Sequence, residues 1–277
     1  MRKLLSANFS RLWKDKVFWG GMIFMLVIGI YLPVSNHMTA VKYGETGTLD
    51  RVFFTYASVI GILSAVLCSL FVGTEYNDGT IRNKVTAGHT RTMIYLSNLL
   101  VNIVSSLLLC LSFIIAVSIS GMIFTGFLKT DALEVLFTMF GTAMMVITFC
   151  AIFTFICMLN QSKSAVTVIC ILGTVVLFLA SVFINARLNE PETYEGYIYA
   201  DEKGDIITVD DEPNLNYVKG TQREIYKFLM DFLPTGQSLQ YAQWEIAHPW
   251  YMILYSGIIT IVSTGAGVRI FRRKDIN

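Results

Sequence analysis

The chain has 277 residues, 54% of them hydrophobic and 15% charged, with a mean hydropathy of +0.58. A soluble domain typically carries about 25% charged residues. This composition therefore excludes a soluble enzyme and a disordered chain, and Lys+Arg 21 against Asp+Glu 20 leaves no basic excess for nucleic acid.

The first 16 residues read as an amphipathic interfacial helix. Leu5, Phe9, Leu12 and Trp13 share one face, while Arg2, Lys3, Arg11 and Lys14 fill the rest. Such a helix lies at headgroup depth with its cations toward anionic lipid. It serves as a simple anchor or as a lever joining the first span to a cytoplasmic partner.

Charge-free runs then follow at 17–36, 52–74, 92–128, 135–162, 164–186 and 249–268. Each reaches the roughly 20 residues an α-helix needs to cross about 30 Å of hydrocarbon. They do not alternate over about 10 residues as barrel strands do. The first run lacks a small-residue cleavage site, so it reads as a retained span rather than a signal peptide.

Span 2 carries a small residue at every fourth position: Ala57, Gly61, Ala65, Ser69 and Gly73. In lipid, close packing rather than hydrophobic drive brings helices together, so this seam is a packing surface. It serves either contacts within the subunit, a subunit interface or the wall of a translocation path.

The loop after span 2, residues 75–91, runs from Glu75-Tyr76 through Gly79-Thr80-Ile81-Arg82-Asn83-Lys84 to Gly88 and Arg91. It predicts a short helix capped by Thr80 and ended by Gly88.

The third run is long for one crossing and short for two. Six spans place thirteen basic residues on the side of both termini, against Lys42, Arg51 and Lys129 on the two short loops opposite. The positive-inside rule then makes the third run a single tilted helix and both termini cytoplasmic.

Residues 185–248 fall outside, with twelve acidic residues against five basic. Tyr197–Ala200 and Asp205–Val209 suggest a hairpin around Asp201-Glu202-Lys203-Gly204. Thr221 with Glu224 suggests a capping box, followed by Ile225, Phe228, Leu229 and Phe232 on one face until Pro234 and Gly236 end the helix.

At residues 75–91 the chain resembles the permeases of ABC type 2 exporters. The Glu-x-x-x-Gly-Thr…Gly-x-x-Arg loop carries the likeness, together with the amphipathic start, six spans and a large external segment before the last span. The terminal Phe271-Arg272-Arg273-Lys274-Asp275-Ile276 adds a weak further match. The resemblance spans the whole topology and implies one all-α transmembrane permease domain over residues 1–277. It further implies that two permease subunits, identical or related, pair with two ATP-binding cassette subunits in the plasma membrane of a bacterial cell. Glu75, Tyr76, Gly79, Thr80, Arg82, Lys84, Gly88 and Arg91 would then couple to the ATPase. No Walker A motif, G-x-x-x-x-G-K-[ST], is present. ATP and Mg therefore belong to a separate chain, and no cofactor or catalytic role is expected on this one.

Absences narrow the reading further. No His or carboxylate lies within the charge-free runs, as a proton-coupled carrier would need. His37, His89 and His248 stand singly at span ends, and no spacing suits a metal. Cys68, Cys110, Cys150, Cys157 and Cys170 read as small buried hydrophobes. Asn98, Asn102 and Asn185 serve either helix–helix bonding or a polar path. The expected cargo is hydrophobic or amphipathic, with an antimicrobial or toxin peptide ranked first. The alternatives are a vitamin-type importer subunit and a non-transporting immunity or sensor protein that binds a toxin through its acidic external segment.

Overall fold

The computed structural model describes residues 1–196, 198–200, 206–208 and 210–274. In chain order the described elements are α1 (Arg2–Leu12), α2 (Lys16–Lys42), α3 (Asp50–Phe53), α4 (Tyr56–Asn77), α5 (Thr80–Thr86), α6 (Arg91–Phe124), α7 (Ala132–Leu159) and α8 (Lys163–Leu188). The external segment follows, with β1 (Thr193–Tyr194), β2 (Ile198–Ala200), β3 (Ile206–Thr208), β4 (Glu212–Pro213), α9 (Gly220–Phe232) and α10 (Pro234–Gln243). The last helix is α11 (Pro249–Arg273).

Among the described residues, six helical runs are long and apolar enough to cross a membrane: α2, α3 with α4, α6, α7, α8 and α11. Three of them, α2, α6 and α8, start where short polar side chains satisfy the first free amides. Asp15 Oδ1 accepts from Val17 N at 2.7 Å and Thr90 Oγ1 from Met93 N at 3.3 Å. Ser162 Oγ accepts from Ala165 N at 3.4 Å. The third run is one helix of 34 residues, about 50 Å long, so the single-helix reading is the one the backbone adopts.

The core lies between α4, α6 and α7. Their most apolar windows are 61%, 44% and 61% buried, whereas α2, α8 and α11 reach only 22%, 22% and 17%. The outer three helices pack on this centre: α2 on α6, α8 on α4, and α11 on α7 and α6. The five seam residues of α4 are all buried. A Cβ on Gly61 would stand 3.0–3.3 Å from the Phe149 ring of α7, and one on Gly73 would stand 2.9 Å from the Lys163 side chain of α8. The seam therefore faces this chain's own helices.

α1 and the described end of α11 lie at the α5 end of the bundle. The external segment and the 43–49 and 125–131 connections lie at the other. There Asp50 Oδ1 accepts from Thr130 N at 3.0 Å and Thr130 Oγ1 at 2.7 Å, which clips the α6–α7 connection to α3.

In the external segment β1 pairs with β4 and β2 with β3, both antiparallel. The expected hairpin strands are thus partly present, while its turn at 201–205 lies outside the described residues. The expected capping box does not form. α9 starts at Gly220 with no side-chain cap at Lys219, and Glu224 instead accepts from Lys227 at 2.9 Å. Ile225 and Phe228 remain exposed, and the helix buries Met230 and Asp231.

α9 does end at Phe232, but Pro234 and Gly236 belong to a further helix rather than a loop. Proline suits the first helical position because its missing N–H has no partner there. Residues Pro234–Tyr241 of this α10 are all buried against α4, α7, α8 and α9.

Candidate functional site

The loop expected at 75–91 begins later than its composition suggests. α4 continues through Glu75 and Tyr76 to Asn77, and Gly79 turns the chain at φ 66° into α5. Gly79, not Thr80, holds the cap position, and Thr80 makes no side-chain cap. Gly88, at φ 85°, closes the turn into α6.

Glu75 has no exposed surface. Its Oε1 accepts from Arg11 Nη1 at 2.6 Å and from Lys84 Nζ; its Oε2 accepts from Asn98 Nδ2 at 2.8 Å. Four elements meet on one carboxylate: α1, α4, α5 and α6. A second ring of bonds closes around it. Asn8, itself 2% exposed, accepts from Lys84 Nζ at 2.8 Å and donates to Asn98 Oδ1 at 2.9 Å and Ser97 Oγ at 3.2 Å. Arg11 also donates to Phe71 O at 3.0 Å and lies 3.7 Å above the Phe71 ring. Burial pulls the Lys84 ammonium below the usual lysine range, and the neighbouring Glu75 opposes that pull.

A carboxylate this deep is tolerable only because two cations and an amide replace its water. Removing one member of a buried ionic set costs about 3–5 kcal/mol, since the remaining charge is left unpaired. The cluster therefore locks α1 and α5 to the core at one point.

The far end of this region is fastened separately. Arg91 Nη1 donates to the carbonyls of Phe271 (3.4 Å), Arg272 (3.1 Å) and Lys274, closing the last turn of α11. Lys274 Nζ lies 3.4 Å from Met158 O, and burial holds its ammonium below the usual range. Tyr76 donates to the same Met158 carbonyl at 2.6 Å.

Several expected residues are thus brought together and others are not. Glu75 and Lys84 join within the cluster, while Tyr76 and Arg91 serve the α11 end. Glu75 has no surface for direct contact with another chain. Burial in the last turn of a spanning helix also makes it the carboxylate that the charge-free count placed outside. Of α5, Ile81 is buried, whereas Arg82, Asn83 and Thr86 are exposed, with Asp78 just before it. In α1, Leu12 is fully buried and Leu5 and Phe9 partly so, but Trp13 is 53% exposed and packs on Phe18 and Trp19. The inward face of α1 is Leu4, Asn8 and Leu12, with Arg11 turned to Glu75 rather than to lipid. The spacing of positions 4, 8 and 12 is helical, and the one polar member, Asn8, was the overlooked signal for a polar partner.

Deeper in the core, Asn102 donates to Thr154 Oγ1 at 2.9 Å, and Cys150 donates to Ser106 Oγ at 3.3 Å. Asn185 donates to Gln243 Oε1 at 3.2 Å. All three asparagines make helix-to-helix bonds. His248 is not solitary as expected: its Nδ1 lies 2.9 Å from Asp231 Oδ2, while Gln240 donates to Asp231 Oδ1 at 3.1 Å. Among the described residues, no group of three His, Cys, Asp or Glu side chains stands close enough to hold a metal ion. The cysteines are buried and free.

Six apolar spans, a polar external segment and a surface helix locked to the core by buried charge define an all-α multi-pass membrane protein. The model of the ABC-2 family transporter proteins matches residues 4–181. The chain belongs to that family and is the membrane component of an ABC transporter. The matched region holds the whole Glu75 cluster, but not the α9–α11 end. No curated protein matches the chain. Family membership implies an ATPase partner, with this chain the non-catalytic transport component.

Proposed function

We propose that this chain is the permease subunit of an ATP-driven exporter in a bacterial plasma membrane. The observation that carries this reading is the buried Glu75 cluster. It makes the exposed side of α5 continuous, through rigid charge-assisted bonds, with α1, α4 and α6.

Two ATPase subunits, binding ATP and Mg, act on two permease subunits, identical or related. The excess of basic residues at the α5 end supports its placement in the cytoplasm, with both termini. Contact falls on Arg82, Asn83, Thr86 and Asp78, and Glu75 transmits it. Closure of the ATPases pushes α5 and α1, and the spans follow toward outward release. The apolar bundle supports a hydrophobic or amphipathic cargo, with a peptide of antimicrobial or toxin type ranked first.

The test is Arg82→Glu, co-expressed with its ATPase. The variant is expected to keep its wild-type yield and melting temperature and to lose about tenfold in transport-coupled ATP turnover, the size of one lost charge-assisted contact. Unchanged turnover in a well-folded Arg82→Glu protein overturns the coupling surface.

A further inference from the structure

α11 is the least enclosed of the spanning helices, with 17% of its apolar window buried. At 100° per residue, Ile261, Val262, Gly265, Arg269, Arg272 and Arg273 fall on one side of it. All six are exposed. The three arginines make no side-chain hydrogen bond or ion pair among the described residues. An open cleft of about 690 Å³ runs along this side, lined by Gly265, Val268 and the three guanidiniums. A Cβ at Gly265 would meet nothing within 4 Å. Arg269 stands about one turn deeper into the span than Arg272 and Arg273.

Three cations with no partner among the described residues, at the edge of hydrocarbon, carry a cost that an anionic group relieves. Above them the same side is apolar, continuing about 12 Å from Arg269 to Ile261, with a notch at Gly265. We propose that this side of α11 binds an anionic glycerophospholipid of the leaflet at the α5 end. Its phosphate sits among Arg269, Arg272 and Arg273, and an acyl chain runs past Gly265 along Ile261 and Val262. Guanidinium forks match phosphate oxygens, and the apolar track selects a lipid over a soluble phosphate. The proposal rests only on α11 crossing a membrane, not on the export reading.

The test uses the full-length protein in neutral detergent, titrated with dihexanoyl-phosphatidylglycerol, dihexanoyl-phosphatidylcholine or glycerol phosphate, with bound species counted by native mass spectrometry. Phosphatidylglycerol is expected to bind about tenfold or more tighter than either comparator. Near a membrane surface each cation contributes about a fivefold factor, so R269Q/R272Q/R273Q should weaken it about a hundredfold. The triple lysine variant should fall between the wild type and the triple glutamine variant, since an ammonium keeps the charge but lacks the fork. Gly265→Leu should weaken phosphatidylglycerol several-fold with every arginine in place. The Arg91 cap uses main-chain carbonyls of α11, so these side-chain changes leave it intact. If the triple glutamine variant fails to insert, Arg269→Gln and Gly265→Leu carry the same test. Equal affinity for phosphatidylcholine or glycerol phosphate overturns the proposal, as does undiminished binding in the variants. So does a dimer mass that the arginine variants abolish, which would assign the surface to a second copy.

Discussion

Arg11 and Glu75 stand 64 positions apart in the chain, yet their side chains meet at 2.6 Å. The Glu75 side chain is fully enclosed and the Arg11 side chain is 31% exposed. One end of this pair therefore faces the surface of the bundle and the other its core, and α1 is held to α4 by that crossing.

Glu75→Ala should unmake the cluster. The loss leaves Arg11 and Lys84 without their shared anion, and the expected cost is about 3–5 kcal/mol. Thermal unfolding of the purified variant should show a clearly lowered midpoint and a correspondingly lower yield. Lys84→Met in the Glu75→Ala background should recover part of it, because an unpaired buried ammonium is removed. Wild-type thermal stability in Glu75→Ala would contradict the buried network.

Gly61→Leu should damage the core. The Phe149 ring already occupies the space a side chain would need, and overpacking of this kind costs about 1–3 kcal/mol. Yield, melting temperature and transport should fall together. A variant that assembles at full stability but stalls in one transport state would show instead that the seam moves during the cycle.

Arg91→Ala should loosen the end of α11 with little effect elsewhere. Three main-chain carbonyls lose their donor, at a cost of about 1–3 kcal/mol. Amide hydrogen exchange should accelerate over residues 270–274 and stay unchanged in α4 and α7. Uniform acceleration would mean that Arg91 supports the whole bundle.

Orientation can be read with two cysteines. Leu215 is 98% exposed in the external segment, and Asn83 is exposed on α5. In intact cells an impermeant thiol reagent should label Leu215→Cys and spare Asn83→Cys. The reverse pattern would turn the proposed topology over.

The spans were legible because charges stop and restart at their ends, and α6 was legible as one helix because charge bias forbade a second crossing. The loop pattern singled out Glu75, but its burial was not legible. Its neighbours Asn77, Asp78 and Gly79 read as loop, and of its partners only Lys84 lies nearby, nine positions on, while Arg11 and Asn98 come from 64 and 23 positions away, where no local pattern points to it. Thr80 was misread as a cap because the preceding glycine took the turn. Pro234 was read as a stop only, although proline closes one helix and opens the next equally well. The pairing of Asp231 with His248 joins the end of α9 to the start of α11, and a histidine at a span end gives no hint of it.

α6 contains no proline from Arg91 to Phe124, and its one adjacent Ser–Gly pair, Ser120 and Gly121, falls near its far end. Its first turns carry Ser97 and Asn98, which hold the Glu75 cluster, and its last turn packs Gly121 against Leu49 at the opposite end. In the proposed export cycle this continuous 34-residue helix serves as a lever arm. Turning its α5 end about any pivot inside the bundle swings the other end the opposite way, with a displacement that grows with distance from the pivot. Under that cycle the two faces of the membrane are geared together by a single piece of secondary structure.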